Sequence, residues 1–223
     1  MAARVGAAGE PPAGAAWPER LERWAIRHWL ALLNTAAGVF AGLPLLAPAL
    51  LAAGWSGPAL LIYAMYRTTC HQWPGRSYFL FGPQLAYGMD ELERSGLGMA
   101  HDFLGNATVG FKMAYCERNF AIYTTIFLAG LLYALLRRRA RPLPIAAFGL
   151  LLLPILVDGA SQLAGLRESS WELRTLTGAL AGLAAVWLVY PRLDRAFRPA
   201  LDPRLARTAP AGARLADASR RLD

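Results

Sequence analysis

The chain reads as an all-α, polytopic integral membrane protein with about four transmembrane helices and one re-entrant or interfacial half-helix. Three observations lead there. Of its 223 residues, 56% are hydrophobic and only 17% charged, against about 25% charged in a soluble domain. The apolar residues form runs long enough for a bilayer core, which takes about 20 helical residues to cross about 30 Å. The basic residues number 23, of which only Lys112 is a lysine. They gather in short clusters at the ends of those runs, as the positive-inside rule expects of cytoplasmic loops. Nucleic-acid binding, the other use of a net charge of +8, wants a basic face carrying base-reading or stacking groups, and no such face is visible. The composition also excludes a mainly disordered chain, and two cysteines exclude a disulfide-rich secreted scaffold.

The elements follow in order. Residues 1–18, rich in Ala, Gly and Pro, read as a disordered tail. Residues 19–28 carry Arg20, Glu22, Arg23 and Arg27 between apolar positions, the pattern of a short interfacial helix. A membrane domain occupies 29–190. Its first span, 29–53, has Asn34 and Thr35 as its only polar side chains, and Pro44 and Pro48 predict a kink or a frayed outer half. The run at 57–66 is too short to cross and predicts the half-helix, which is tolerated at membrane depth only where protein covers it or water reaches it. Further spans cover 119–136, 143–163 with Pro154 inside, and 173–190, where Gly178, Ala179, Ala181, Gly182 and Ala184 suit close helix packing. Residues 82–115 form a cap between the half-helix and the second span, and 191–223 a basic tail.

Four spans put both termini on one side. The N-terminal arginines, the Arg137-Arg138-Arg139 and Arg141 cluster, and the tail then all fall in the cytoplasm, and the cap, with a net charge of −2, falls outside. The expected location is the bacterial inner membrane, with the lipid bilayer as surroundings and both termini cytoplasmic. An alternative splits 29–66 into two short spans, moves Cys70 inside, and needs another crossing within 82–115, where no adequate apolar run exists.

In the four-span arrangement the unusual polar groups gather at the extracytoplasmic end. They are Cys70-His71-Gln72 with Arg76; Cys116-Glu117-Arg118; Asp158 and Gln162, four apart and so on one helix face; and Arg167 with Arg174. Ionisable groups at the ends of apolar helices are costly and usually pair or face a cavity, so Asp158 and Arg174 read either as a lock between two helices or as part of a site.

These residues carry a resemblance. Cys70-His71-Gln72 followed by Arg76-Ser77, Cys116-Glu117-Arg118 with Tyr123, and Asp158-Gly159 with Gln162, Arg167, Arg174, Thr177 and Gly178 resemble a family of small bacterial polytopic membrane proteins known as domain of unknown function 2085. The resemblance spans roughly 30–190. It implies a membrane fold and supplies no activity. In this chain about forty residues separate the first two motifs, where the family pattern has a short gap.

Several chemistries stay open. Cys70 and Cys116 would form a disulfide outside the cell, where such bonds persist. Cys70, His71 and Cys116, with a carboxylate such as Glu117, offer a soft ligand set for a metal ion, although adjacent Cys and His lack the usual ligand spacing. A thiolate activated by His71 or the arginines suits thiol redox chemistry or nucleophilic catalysis. Arg76, Arg118, Arg167 and Arg174 offer forked donors to a phosphate or carboxylate, and at a membrane edge the natural anion is a lipid headgroup. His28 and His101 complete the histidines. The leading expectation is a non-enzymatic membrane protein whose polar cluster binds a small ligand, metal ion or headgroup. Its rivals are a membrane-embedded thiol-redox factor or enzyme, and a structural partner in a membrane complex.

Overall fold

The structure, a computed structural model, describes residues 17–94, 96 and 102–201. His101, the start of the N-terminal tail and most of the basic tail lie outside the described residues. Six α-helices and three short strands follow in the order α1 (Trp17–Ala52), α2 (Ser56–Tyr66), β1 (Ser77–Leu80), α3 (Met89–Arg94), β2 (Gly105–Asn106), β3 (Gly110–Cys116), α4 (Glu117–Leu136), α5 (Ile145–Leu163) and α6 (Trp171–Leu201). Among the described residues four helices, α1, α4, α5 and α6, are long and apolar enough to cross a membrane. At 1.5 Å per residue the 20 residues of α4 reach about 30 Å, the thickness of a hydrocarbon core.

The helix boundaries depart from the sequence expectation at two places. α1 is continuous from Trp17, so residues 19–28 extend the first span rather than forming a separate helix. Pro44 and Pro48 do not end it. Both rings are buried, and the helix closes beyond them where Gly54 and Trp55 donate to the Leu51 and Leu50 carbonyls at 3.0 and 2.8 Å. α6 likewise runs past Tyr190 through Pro191 to Leu201.

α2 is the expected half-helix. It folds back on the end of α1, burying Ala59, Ile62, Tyr63 and Tyr66 against Ala47, with Phe40 and Leu43 packed alongside. The Tyr66 hydroxyl donates to the Phe40 carbonyl at 2.8 Å. Protein thus covers one side of the element too short to span.

The sheet is the feature that the all-α reading omits, although the molecule remains mainly helical. β3 lies between β1 and β2, antiparallel to both. Ser77 pairs with Cys116, Phe79 with Lys112 and Leu80 with Phe111. This pairing accounts for the long insertion: its two ends are zipped together by β1 and β3, which brings the Cys-His-Gln segment beside the start of α4. Phe79, Tyr87, Leu92 and Val109 pack into a small core beneath the cap.

α4 and α6 form the central pair. A Cβ on Gly178 would lie 2.8 Å from the Arg118 carbonyl, and one on Gly182 only 2.5 Å from that of Ile122; glycine is what lets the two backbones approach. α1 packs on α4, and α5 on α6. At one end of the bundle Trp29 meets Tyr190 and Phe197, and Arg137 lies 5.7 Å from the centre of its ring. Trp29 is therefore a packed residue, 5% exposed. Arg137 Nε also donates to Asp194 at 2.7 Å. The arginine clusters thus share this end, opposite the sheet.

Candidate functional site

The loop after α2, the β3–α4 junction, the end of α5 and the start of α6 meet around a cavity of about 220 Å³. Its wall includes Cys70, His71, Gln72, Arg76, Cys116, Arg118, Gln162 and Arg174. Eight of the residues singled out from sequence thus converge on one hollow. Asp158, Glu117 and Arg167 stand behind it as charge partners. A second, larger cavity of about 420 Å³ lies beside it, between α3 and the start of α6, and shares Arg174 as a wall.

The loop geometry starts from Gln72, whose φ of +53° lies in the left-handed region, uncommon for a residue with a side chain. Several bonds hold it there. Its side-chain amide donates to the Tyr63 and Ala114 carbonyls at 2.8 and 3.1 Å, and its own carbonyl accepts Lys112 Nζ at 2.7 Å. The turn aims the Gln72 backbone N–H at Cys70 Sγ, 3.4 Å away. From the other side the N–H of Cys116, the residue capping α4, reaches the same sulfur at 3.1 Å.

Cys70 and Cys116 are free thiols in this structure; the disulfide, one of the chemistries the sequence leaves open, is not shown by it. The Cys116 thiol donates to Cys70, and with the two backbone donors and the nearby His71 it holds the Cys70 thiol down to about 6. The same hydrogen bond, together with burial, pushes Cys116 well up. The two backbone donors on Cys70 Sγ favour the thiolate form of that sulfur over the same form of Cys116. Burial brings Lys112, behind them, down to about 8.

The charged residues form two linked groups. Asp158, 1% exposed, accepts from both Arg118 and Arg167, the latter at 2.6 Å. Glu117, also 1% exposed, accepts from Arg174 Nη1 at 2.8 Å. Arg174 Nη2 goes on to Glu168 at 3.3 Å, and Glu168 also accepts from Arg76 at 3.1 Å and Gln162 at 3.0 Å. Every arginine singled out from sequence therefore has a carboxylate partner. Four arginines against three carboxylates leave one positive charge.

One further detail separates this from a closed structural lattice. The Nε atoms of Arg76, Arg118 and Arg174 are buried and have no hydrogen-bond partner, and neither does Gln72 Oε1. All four residues line the same cavity. A buried donor left unmet costs about 1–3 kcal/mol, and three such donors belong to arginines that line this one hollow.

The metal expectation fares differently. Among the described residues no group of three or more His, Cys, Asp or Glu side chains is placed to hold a metal ion. Cys70 Sγ is occupied by its N–H donors, and His71 is exposed on the rim. Sequence reasoning also missed Glu168, which joins Arg76, Gln162 and Arg174, and the buried Lys112. For Lys112 a signal existed: it is the one lysine among arginines. For Glu168 the signal was its place in the Arg167–Ser170 loop, ahead of a span.

Comparisons with known proteins bear on the family. The family model described as "Predicted membrane protein (DUF2085)" matches residues 107–188, which take in the β3–α4 junction, the end of α5 and the start of α6. The uncharacterised protein MJ1492 of Methanocaldococcus jannaschii is 32% identical over 139 residues, covering 61% of this chain and 71% of the relative. That relative is archaeal, so the restriction to bacteria carried by the sequence resemblance does not hold. No solved structure matches the chain. The chain belongs to the family of predicted membrane proteins called domain of unknown function 2085.

Proposed function

We propose that the cavity between the Cys-His-Gln loop and the starts of α4 and α6 binds a small anion, a carboxylate or a phosphate group, at the edge of the membrane. The observation that carries this reading is the convergence of Arg76, Arg118 and Arg174 on its wall, each with a buried Nε that no protein group satisfies. The outer nitrogens are held in place by Asp158, Glu117 and Glu168, so the donors are preorganised and the ligand need not order them. Placing the arginine clusters of the opposite end in the cytoplasm puts this cavity on the outer face, within reach of either a lipid headgroup or a free solute.

Titration of the detergent-solubilised protein tests it. Inorganic phosphate, acetate and sn-glycerol 1-phosphate are added separately, and heat release and thermal midpoint are followed. At least one anion binds, and Arg76→Gln weakens it by about tenfold, the worth of roughly one charge-assisted bond at 1.4 kcal/mol. Glycerol phosphate binding much more tightly than phosphate identifies a headgroup as the source; the reverse identifies a free solute. No binding by any of the three removes the reading. Arg76 is the variant of choice because its partner Glu168 is exposed, so the loss leaves no buried charge.

A further inference from the structure

The two sulfurs remain unused by an anion site, and their arrangement is specific. Cys70 is 5% exposed, yet it and Cys116 both face the 220 Å³ cavity. Two backbone donors converge on Cys70 Sγ, the Gln72 and Cys116 amides, at 3.4 and 3.1 Å, with the Cys116 thiol beside it. A buried neutral thiol does not require such company, since free cysteine behaves as a small hydrophobe. The Gln72 turn is strained at φ +53°, and strain persists where surroundings over-determine it, often at functional sites. Cys116 caps a 20-residue helix, whose N-terminal partial charge favours a nearby anion. The pair is bracketed by β1 and β3, whose register sets Ser77 opposite Cys116, so the two thiols belong to two segments fixed to each other.

We propose that Cys70 and Cys116 are a dithiol redox couple that exchanges with a low-molecular-weight disulfide entering the cavity, with Cys70 as the attacking sulfur and Cys116 as the resolving one. The Cys70 thiolate attacks one sulfur of R–S–S–R, the S–S bond breaks, and one RS⁻ leaves, which takes up a proton. The Cys116 thiol gives up its proton and its sulfur attacks Cys70 Sγ in the mixed disulfide. The second RS⁻ leaves and is protonated, and the Cys70–Cys116 disulfide remains. The protein dithiol is oxidised by two electrons and the small disulfide is reduced to two thiols; run backwards, the protein disulfide oxidises a pair of small thiols. Gln72 is the positioning residue, since it acts through Cys70. This couple does not depend on the anion reading, because its chemistry needs only access to the cavity.

Reduced full-length protein in detergent micelles is incubated with oxidised glutathione, quenched in acid, and its thiols are alkylated and mapped by mass spectrometry. The wild type loses both free thiols and retains no glutathione. Cys116→Ser retains one glutathione on Cys70. In Cys70→Ser the remaining Cys116 reacts at least about tenfold more slowly, as a thiol lacking thiolate character does. A wild type that keeps two alkylatable thiols, or carries glutathione on Cys116, overturns the proposal. A measurement without substitutions guards against misfolded variants: in brief iodoacetamide labelling at neutral pH, Cys70 is modified about tenfold ahead of Cys116. Equal rates, or the reverse order, count against the couple just as decisively.

Discussion

Lys112 shows how one residue can be visible in a sequence and still be misread. Its side chain is fully buried in β3 and donates to the Gln72 carbonyl at 2.7 Å, which supports the turn that presents an N–H to Cys70. Burial lowers its pKa from 10.5 to about 8. The folded chain therefore gives up this proton before the unfolded chain does. Between about pH 8 and 10.5 the unfolded state binds more protons, so stability rises with pH; the penalty is fully present below pH 8 and relieved above it. A shift of this size corresponds to about 3 kcal/mol. Cys70 adds a slope of the same sign as pH rises from about 6 toward 9, so the difference between two proteins is the measurement to make. The thermal midpoint in detergent should climb more between about pH 7.5 and 9.5 in the wild type than in Lys112→Met, and parallel curves would contradict this account. At this scale the sequence named Cys70, Gln72, Arg76, Cys116 and Arg174 because each is an odd polar group beside an apolar run. It passed over Glu168, whose partners lie on α5, α6 and the Cys-His-Gln loop and so leave no local pattern.

The elements were legible in proportion to their length. Spans of about twenty apolar residues announce themselves by hydropathy alone, and α4, α5 and the core of α6 fall where the runs predict. The strands do not. β1 has four residues and β3 seven with a lysine in the middle, and their pairing depends on a partner more than thirty positions away. The sheet is nonetheless what joins the two motifs across the insertion. Between α4 and α6 the reading of small residues as packing positions holds, and the packing is coupled to the site. The carbonyl that faces Gly178 belongs to Arg118, whose side chain holds Asp158 and lines the cavity. Gly178→Ala should therefore push α4 from α6 at the level of the site. We expect a loss of about 1–3 kcal/mol from overpacking, together with weaker anion binding. Gly182→Ala, one turn deeper against Ile122, should show the stability loss with a smaller effect on binding. Comparing thermal midpoints and phosphate affinity for the two variants checks the coupling; equal binding by both and by wild type would confine Gly178 to packing.

For the whole molecule, orientation decides what the site meets. The arginines of α1, the α4–α5 loop and the far end of α6 (Arg192, Arg195 and Arg198) lie at one end, tied by Trp29, Tyr190, Arg137 and Asp194; the sheet and both cavities lie at the other. On the positive-inside rule we propose that the arginine end faces the cytoplasm. The consequence is chemical: the cytoplasm keeps thiols reduced, whereas outside it disulfides persist, so the resting state of Cys70 and Cys116 follows from which way the bundle points. Single reporter cysteines can read this in a Cys70→Ser, Cys116→Ser background. Arg139→Cys keeps Arg137, Arg138 and Arg141 as the topological signal, and Glu93→Cys places a thiol on the exposed face of α3 in the cap. With a membrane-impermeant maleimide, Glu93→Cys should label in intact cells and Arg139→Cys only after permeabilisation. The opposite pattern would turn the bundle over, put the cavity against cytoplasmic solutes, and make the dithiol rather than the disulfide the resting form. Both positions labelling in intact cells would mean that an even number of crossings separates the cap from the α4–α5 loop. α4 would then fail to span, and the four-span reading would fall with it.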